Sequence, residues 1–155
     1  MRKLLQATSL IALAALLWIT YDALYGASRL TGPIPTHFGI DGQPNAWGDP
    51  KMLLMLPGVG IFLYLTMTLV SFFPSSFNYP VRVTPRNRER LQSIALNMIA
   101  ALKAETLLLL ALLQYFTIQG VRTGHNGLPP ALMITAIVLV FLTMTAHIVA
   151  IRRAA

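Results

Sequence analysis

Two imidazoles and two carboxylates fall in the short polar stretches of a very apolar chain: His37, Asp41, Asp49 and His125. Histidines combined with carboxylates form a ligand set for zinc or another divalent cation. The spacing matches no H-E-x-x-H or comparable motif. Asp41 precedes Gly42 and has a use in a turn, and Asp49 precedes Pro50 and has a use as a helix cap. His37 is therefore expected to hold backbone groups, with metal ligation and acid–base work as its other roles. His37 and His125 remain weak metal candidates.

No catalytic set and no cofactor is expected. The chain has no cysteine, which excludes disulfides, thiolate catalysis and cysteine-ligated clusters or zinc. It carries no Gly-rich phosphate loop and no nucleophile elbow. Haem would ask for two histidines at matching depth in different spans, and only His147 lies inside an apolar run.

A second group of ionisable residues lies within the apolar runs: Asp22, Lys103, Glu105 and His147. Such residues are functional candidates or polar helix-pairing groups. Glu105 precedes Gln119 by about 14 residues, or roughly 21 Å of helix, and His147 sits roughly 7.5 Å from Arg152. The two fall at similar depth. Glu105 is expected to point inward and meet His147 or the hydroxyls of Thr143 and Thr145, as a packing pair or a proton relay. Lys103, two residues from Glu105, takes another helix face and is expected to snorkel to the cytoplasmic interface. Asp22 is expected to receive Arg29, His37 or a backbone amide of the following loop.

The elements that must position these groups follow from hydropathy. Of 155 residues, 55% are hydrophobic and 11% charged, against about 25% charged in an average soluble domain. Four apolar runs, about 4–25, 52–73, 98–119 and 129–151, each reach the roughly 20 residues that cross a bilayer as helix. The expected fold class is an all-α membrane protein: a four-helix transmembrane bundle in a single domain, residues 1–155. Arg2 and Lys3 before an apolar run also fit a signal peptide, with Gly26-Ala27-Ser28 as a cleavage site. The run is too long for that, and Asp22 interrupts it, so it is read as a retained span.

The net charge of +7 in a soluble protein would suggest nucleic acid. Here the cations flank the spans, so topology explains them and no nucleic acid is expected. Arg2, Lys3, Arg82, Arg86, Arg88, Arg90, Arg152 and Arg153 fall on one side, and Arg29, Lys51 and Arg122 on the other. The imbalance predicts both termini in the cytoplasm. The arginines of the basic loop, residues 74–92, can also meet anionic headgroups, which makes membrane lipids a partner. Thr84-Pro85 reads as cap and first position of the third helix, and Asn126 as cap of the fourth, with Pro129 and Pro130 in its first turn. Pro57-Gly58-Val59-Gly60 predicts a kink in the second span and close approach of a neighbouring helix.

The most varied stretch is "IPTHFGIDGQPNAWGDPK", residues 34–51. Pro33 and Pro35 favour extended chain. Residues 36–40 read as a short strand, and Asp41-Gly42 as a two-residue turn with both φ positive. Pro44 is expected to end the ladder quickly. Trp47 suits the headgroup zone, and Lys51 can snorkel toward phosphates. Residues 33–50 should form an ordered outer lid, a short β-hairpin.

This stretch resembles the signature of a bacterial membrane-protein family with a domain of unknown function. That domain also forms the N-terminal part of SdpI-type proteins, which give immunity to a secreted toxic peptide. Ile34, Pro35, His37, Phe38, Gly42, Pro44, Trp47 and Lys51 fall on the family's pattern. A looser likeness joins "VRVTPRNRERL" to "LKAETLLLLALLQYFTIQ". Asn45 stands where the family usually has aspartate, and Thr31 where it often has proline. SdpI-type proteins also carry a further helical domain beyond these four spans. The resemblance implies a non-enzymatic protein of the bacterial inner membrane, acting in peptide-toxin resistance or envelope signalling. The lid would then be its recognition surface. The residues alone leave two other classes open: an accessory subunit docked on other membrane subunits, and a small permease or metal-dependent membrane enzyme.

Overall fold

The computed structural model describes residues 1–27, 29–125 and 127–154. Ser28, of the small-x-small site, and Asn126, the expected cap, lie outside them. In chain order the elements are α1 (Arg2–Tyr25), β1 (Ile34–Phe38), β2 (Pro44–Gly48), a 3-10 helix (Pro50–Leu54), α2 (Met55–Val70), a 3-10 turn (Pro74–Ser76), α3 (Arg88–Thr123) and α4 (Pro130–Arg152). Among the described residues, four helices are long and apolar enough to cross a membrane.

The hub is α3, which packs on α1 along its length and also touches α2 and α4, while α1 and α2 meet each other. Leu13 and Leu16 of α1 and Leu107 of α3 are buried at this meeting. A Cβ at Gly60 of α2 would sit 3.0 Å from Leu16 and 3.6 Å from Leu107. Glycine there lets three backbones converge, as small residues do in apolar bundles. In contrast, α4 packs chiefly on α3. Only 6% of its apolar stretch is buried, against 33% for α3, so its other faces are left for lipid or another chain.

Pro57 does not sit in mid-helix. The 3-10 helix gives way to α-helix at Met55, which places Pro57 in the first turn of α2. The expected kink is instead this change of helix type, where a missing N–H costs least. Position 57 would otherwise donate to the Leu53 carbonyl.

At 36 residues, α3 extends about 54 Å, well beyond the roughly 30 Å of a hydrocarbon core. It begins at Arg88, three residues later than Pro85, because residues 85–87 form a turn. Thr84 and Asn87 lock that turn reciprocally: Thr84 Oγ1 accepts the Asn87 N–H, and Asn87 Oδ1 accepts the Thr84 N–H. Gly124, with φ +77, closes the far end, the left-handed glycine stop common at helix C-termini.

Candidate functional site

The two strands run antiparallel, with Ile34 opposite Gly48, Pro35 opposite Trp47, His37 opposite Ala46 and Phe38 opposite Pro44, and an irregular register around His37. β1 begins at Ile34 instead of Thr36. Pro44 opens β2 and does not end the ladder, a first-strand position where its missing N–H is tolerated. The turn also differs from the expected one. Gly42 donates to the Gly39 carbonyl at 3.0 Å, and Gly39 donates to the Gln43 carbonyl at 2.8 Å. Gly42 has φ +78, and no non-glycine residue among those described has positive φ. Asp41 is thus outside the left-handed region, and the loop is the three-residue kind with one left-handed glycine. The Asp41 carboxylate instead accepts the Gln43 N–H at 3.0 Å.

The hairpin tip is tied to the loop between α3 and α4. Leu128 donates its N–H to the Gly42 carbonyl at 2.8 Å. Any Cβ at Gly42 would collide with the Leu128 carbonyl oxygen. At the hairpin's other end, Asp49 accepts the Lys51 N–H at 2.8 Å and starts the 3-10 helix. Between these anchors, Pro35 and Gly42 are buried, Phe38 is half-buried, and His37, Trp47 and Lys51 are exposed.

His37 Nδ1 lies 2.5 Å from Asn45 Oδ1. An amide oxygen only accepts, so the imidazole carries its proton on Nδ1. His125 Nδ1 donates to the Thr123 carbonyl at 3.2 Å. Each histidine is held locally, and among the described residues no three metal-ligating side chains come together.

Beneath β1 lies a cavity of about 350 Å³, within the size range of small-ligand sites. Ile34, Leu53, Leu56 and Leu113 give it apolar walls; Gln114, Thr117 and His37 supply polar points. Gln114 is 1% exposed. Its amide donates to Thr20 Oγ1 and to the Leu53 carbonyl, each at 2.9 Å. The latter is the carbonyl that Pro57 leaves without its usual helical donor. Sequence reasoning passed over Gln114, although a glutamine within an apolar span is itself a sign of interhelical hydrogen bonding.

Two more polar rungs join α1 to α3. Lys103 does not snorkel; it is 1% exposed. Its ammonium lies 2.9 Å from Thr68 Oγ1 and 3.2 Å from Gln6 Oε1, and 4.5 Å from the Tyr64 ring centroid. Two reasons account for the correction. The helix runs on for about 15 residues before Lys103, so the end of α3 is far off. A hydroxyl, an amide oxygen and an aromatic face replace water around the cation. Asp22 pairs with Arg122 at 2.8 Å, not with Arg29 or His37, because α1 and α3 run side by side to the hairpin end. Both partners are part-exposed, so the pair fixes geometry more than it stabilises.

Glu105 accepts the Thr143 hydroxyl on Oε1 at 2.5 Å. His147 donates to the Thr143 backbone carbonyl at 2.8 Å. Glu105 thus meets the Thr143 hydroxyl across α3 and α4, His147 bonds back one turn along its own helix, and Thr145 is exposed. Among the described residues, Glu105 Oε2 is buried without a hydrogen-bond partner. Arg82, Arg86, Arg88 and Arg90 are all exposed, as a headgroup-facing or solvated cluster must be. In the same loop, burial pushes the Tyr79 phenol above its ordinary range; its hydroxyl donates to the Pro74 carbonyl.

Residues 10–61, which take in most of α1, the hairpin and the start of α2, match a domain of unknown function, DUF1648. An uncharacterized protein of Archaeoglobus fulgidus is 38% identical over 86 residues, covering 50% of this chain and 45% of that protein. The match thus spans less than half of that relative's length. No solved structure matches the chain.

Proposed function

We propose that this chain is a non-enzymatic membrane interaction protein whose hairpin lid recognises a secreted amphipathic peptide. Both termini and the basic loop face the cytoplasm, and the lid faces outward from a bacterial inner membrane. This is the role in peptide-toxin resistance or envelope signalling that the likeness to SdpI-type proteins implies. One observation carries the reading. The lid is tied at its tip to the α3–α4 loop by the Leu128–Gly42 hydrogen bond, passes directly into the 3-10 helix that Asp49 caps, and roofs an apolar cavity of about 350 Å³. A fixed roof with an exposed aromatic, Trp47, over an apolar chamber suits a peptide that brings its own apolar side chains.

The test is survival. Cells expressing the chain should withstand a secreted membrane-active peptide that kills cells lacking it. Trp47→Ala should reduce the protective threshold about tenfold or more, the usual scale for losing an aromatic anchor. Protection that is absent in the wild type, or equal in the Trp47 variant, would refute the reading.

The weak packing of α4 favours a second reading, an accessory subunit docked on other membrane subunits. Native mass in mild detergent separates the two. A fixed-stoichiometry assembly with other chains supports docking, and a lone monomer removes it.

A further inference from the structure

On the reading that the cavity beneath the lid receives part of a peptide, we propose that the part is an indole ring, its N–H donated to Gln114 Oε1. Gln114 is 1% exposed, and its amide is fixed end for end. The amide nitrogen faces two acceptors: the Leu53 carbonyl, and Thr20 Oγ1, whose own hydrogen goes to the Leu16 carbonyl. Oε1 therefore points the other way, and among the described residues nothing donates to it. It is not sealed. Among the described residues, the one buried side-chain atom both unpartnered and closed to solvent is Glu105 Oε2. The small surface that Gln114 keeps thus includes Oε1, and Gln114 forms part of the cavity wall.

The walls narrow what can answer that oxygen. The second buried polar point, Thr117 Oγ1, gives its hydrogen to the Leu113 carbonyl at 2.8 Å, so it too offers only lone pairs. Thr36 and His37 are exposed and belong to the mouth. A group that reaches the floor must therefore donate. Among the described residues no aspartate, glutamate, lysine or arginine lines the cavity, so an ammonium ion would be buried there without a counter-charge. A hydroxyl donates but also brings lone pairs, which this floor leaves unmet. An indole N–H is a donor alone, and the rest of the ring meets Ile34, Leu53, Leu56 and Leu113. Met52, Met55 and Met133 also line the cavity and are each exposed, which puts three thioethers at its rim. Thioethers make favourable contacts with aromatic edges and adapt their shape to them.

The test is equilibrium dialysis of radiolabelled indole against the full chain in phosphatidylcholine nanodiscs, with empty nanodiscs subtracted. Saturable binding of one indole per chain is expected. Benzofuran has the same shape with an oxygen in place of the N–H. It should compete about tenfold less well, the scale of one lost hydrogen bond with an acceptor left bare. Gln114→Met should weaken indole about tenfold and leave benzofuran unchanged, so that the two compete equally. Should Gln114→Met fail to fold, Leu56→Trp gives a second reading: its larger side chain fills the cavity without touching the Gln114 bonds, and should abolish binding. No saturable binding, which leaves the cavity to water, would overturn the proposal. So would equal competition by benzofuran in the wild type, an unchanged ratio in Gln114→Met, or full binding by Leu56→Trp. N-acetyltryptophanamide should compete as well as indole, which marks a peptide tryptophan as the source. Competition by free indole alone, or indole binding without any protection of cells, would keep the indole site and overturn the peptide reading instead.

Discussion

Gln114→Leu lowers the unfolding free energy in detergent by about 2–4 kcal/mol, among the largest losses expected for a single substitution in this chain. Leucine fits the volume but donates nothing. The Leu53 carbonyl and Thr20 Oγ1 then lose the donor they share, in a position 1% exposed. The cause can be isolated. Pro57→Ala restores an N–H aimed at the Leu53 carbonyl, so the double variant Pro57→Ala/Gln114→Leu should recover about 1 kcal/mol of that loss. Thermal or denaturant unfolding of the four proteins of this cycle measures it. Simple additivity would show that Gln114 does not stand in for the proline's missing donor.

Gly42→Ala should detach the lid. Its φ of +78 costs a non-glycine residue about 1–2 kcal/mol. The new methyl group is also driven into the Leu128 carbonyl oxygen. To relieve that clash the hairpin tip must leave the α3–α4 loop, which breaks the 2.8 Å bond from Leu128 N–H to the Gly42 carbonyl, a further loss of about 1 kcal/mol. The readout is local. Limited proteolysis should cut the variant within residues 39–43 at least tenfold faster, a change of about 1.4 kcal/mol in the opening equilibrium. Gly124→Ala shares the positive φ but has nothing within 4 Å of its added Cβ; it should leave the lid intact. Equal cleavage of wild type and Gly42→Ala would show that the Leu128 contact does not hold the lid.

The helices were legible because they rest on hydropathy alone: each apolar run is long enough to cross a bilayer, and little else in the chain is apolar. What the sequence hid are contacts between segments far apart in it. Lys103 looked free to reach the interface because nothing in its own neighbourhood revealed Gln6 and Thr68, which come from α1 and α2. Asp22 was matched with residues close to it in the chain, but its partner Arg122 is 100 positions away. Asp-Gly was read as a two-residue turn from its local chemistry, and the structure instead uses Gly42 alone as the left-handed residue. Depth counting did bring Glu105 to Thr143, because rise per residue is a property of helices and not of neighbours. It could not show that His147 would spend its proton on a backbone carbonyl. Asn45 was noted as a departure from the resemblance; its contact with His37 gives that position a use.

The most direct test of the proposed outward-facing lid is labelling by a membrane-impermeant maleimide in intact cells. The chain has no cysteine, so each single-cysteine variant reports one site. Ile40 stands fully exposed at the hairpin tip and Val83 is exposed in the basic loop. On the proposed topology, with the arginine-rich side in the cytoplasm, Ile40→Cys is labelled from outside, and Val83→Cys only after the cells are opened. Labelling of Val83→Cys in intact cells, with Ile40→Cys protected, would put the lid in the cytoplasm and contradict its role as a surface for a secreted peptide.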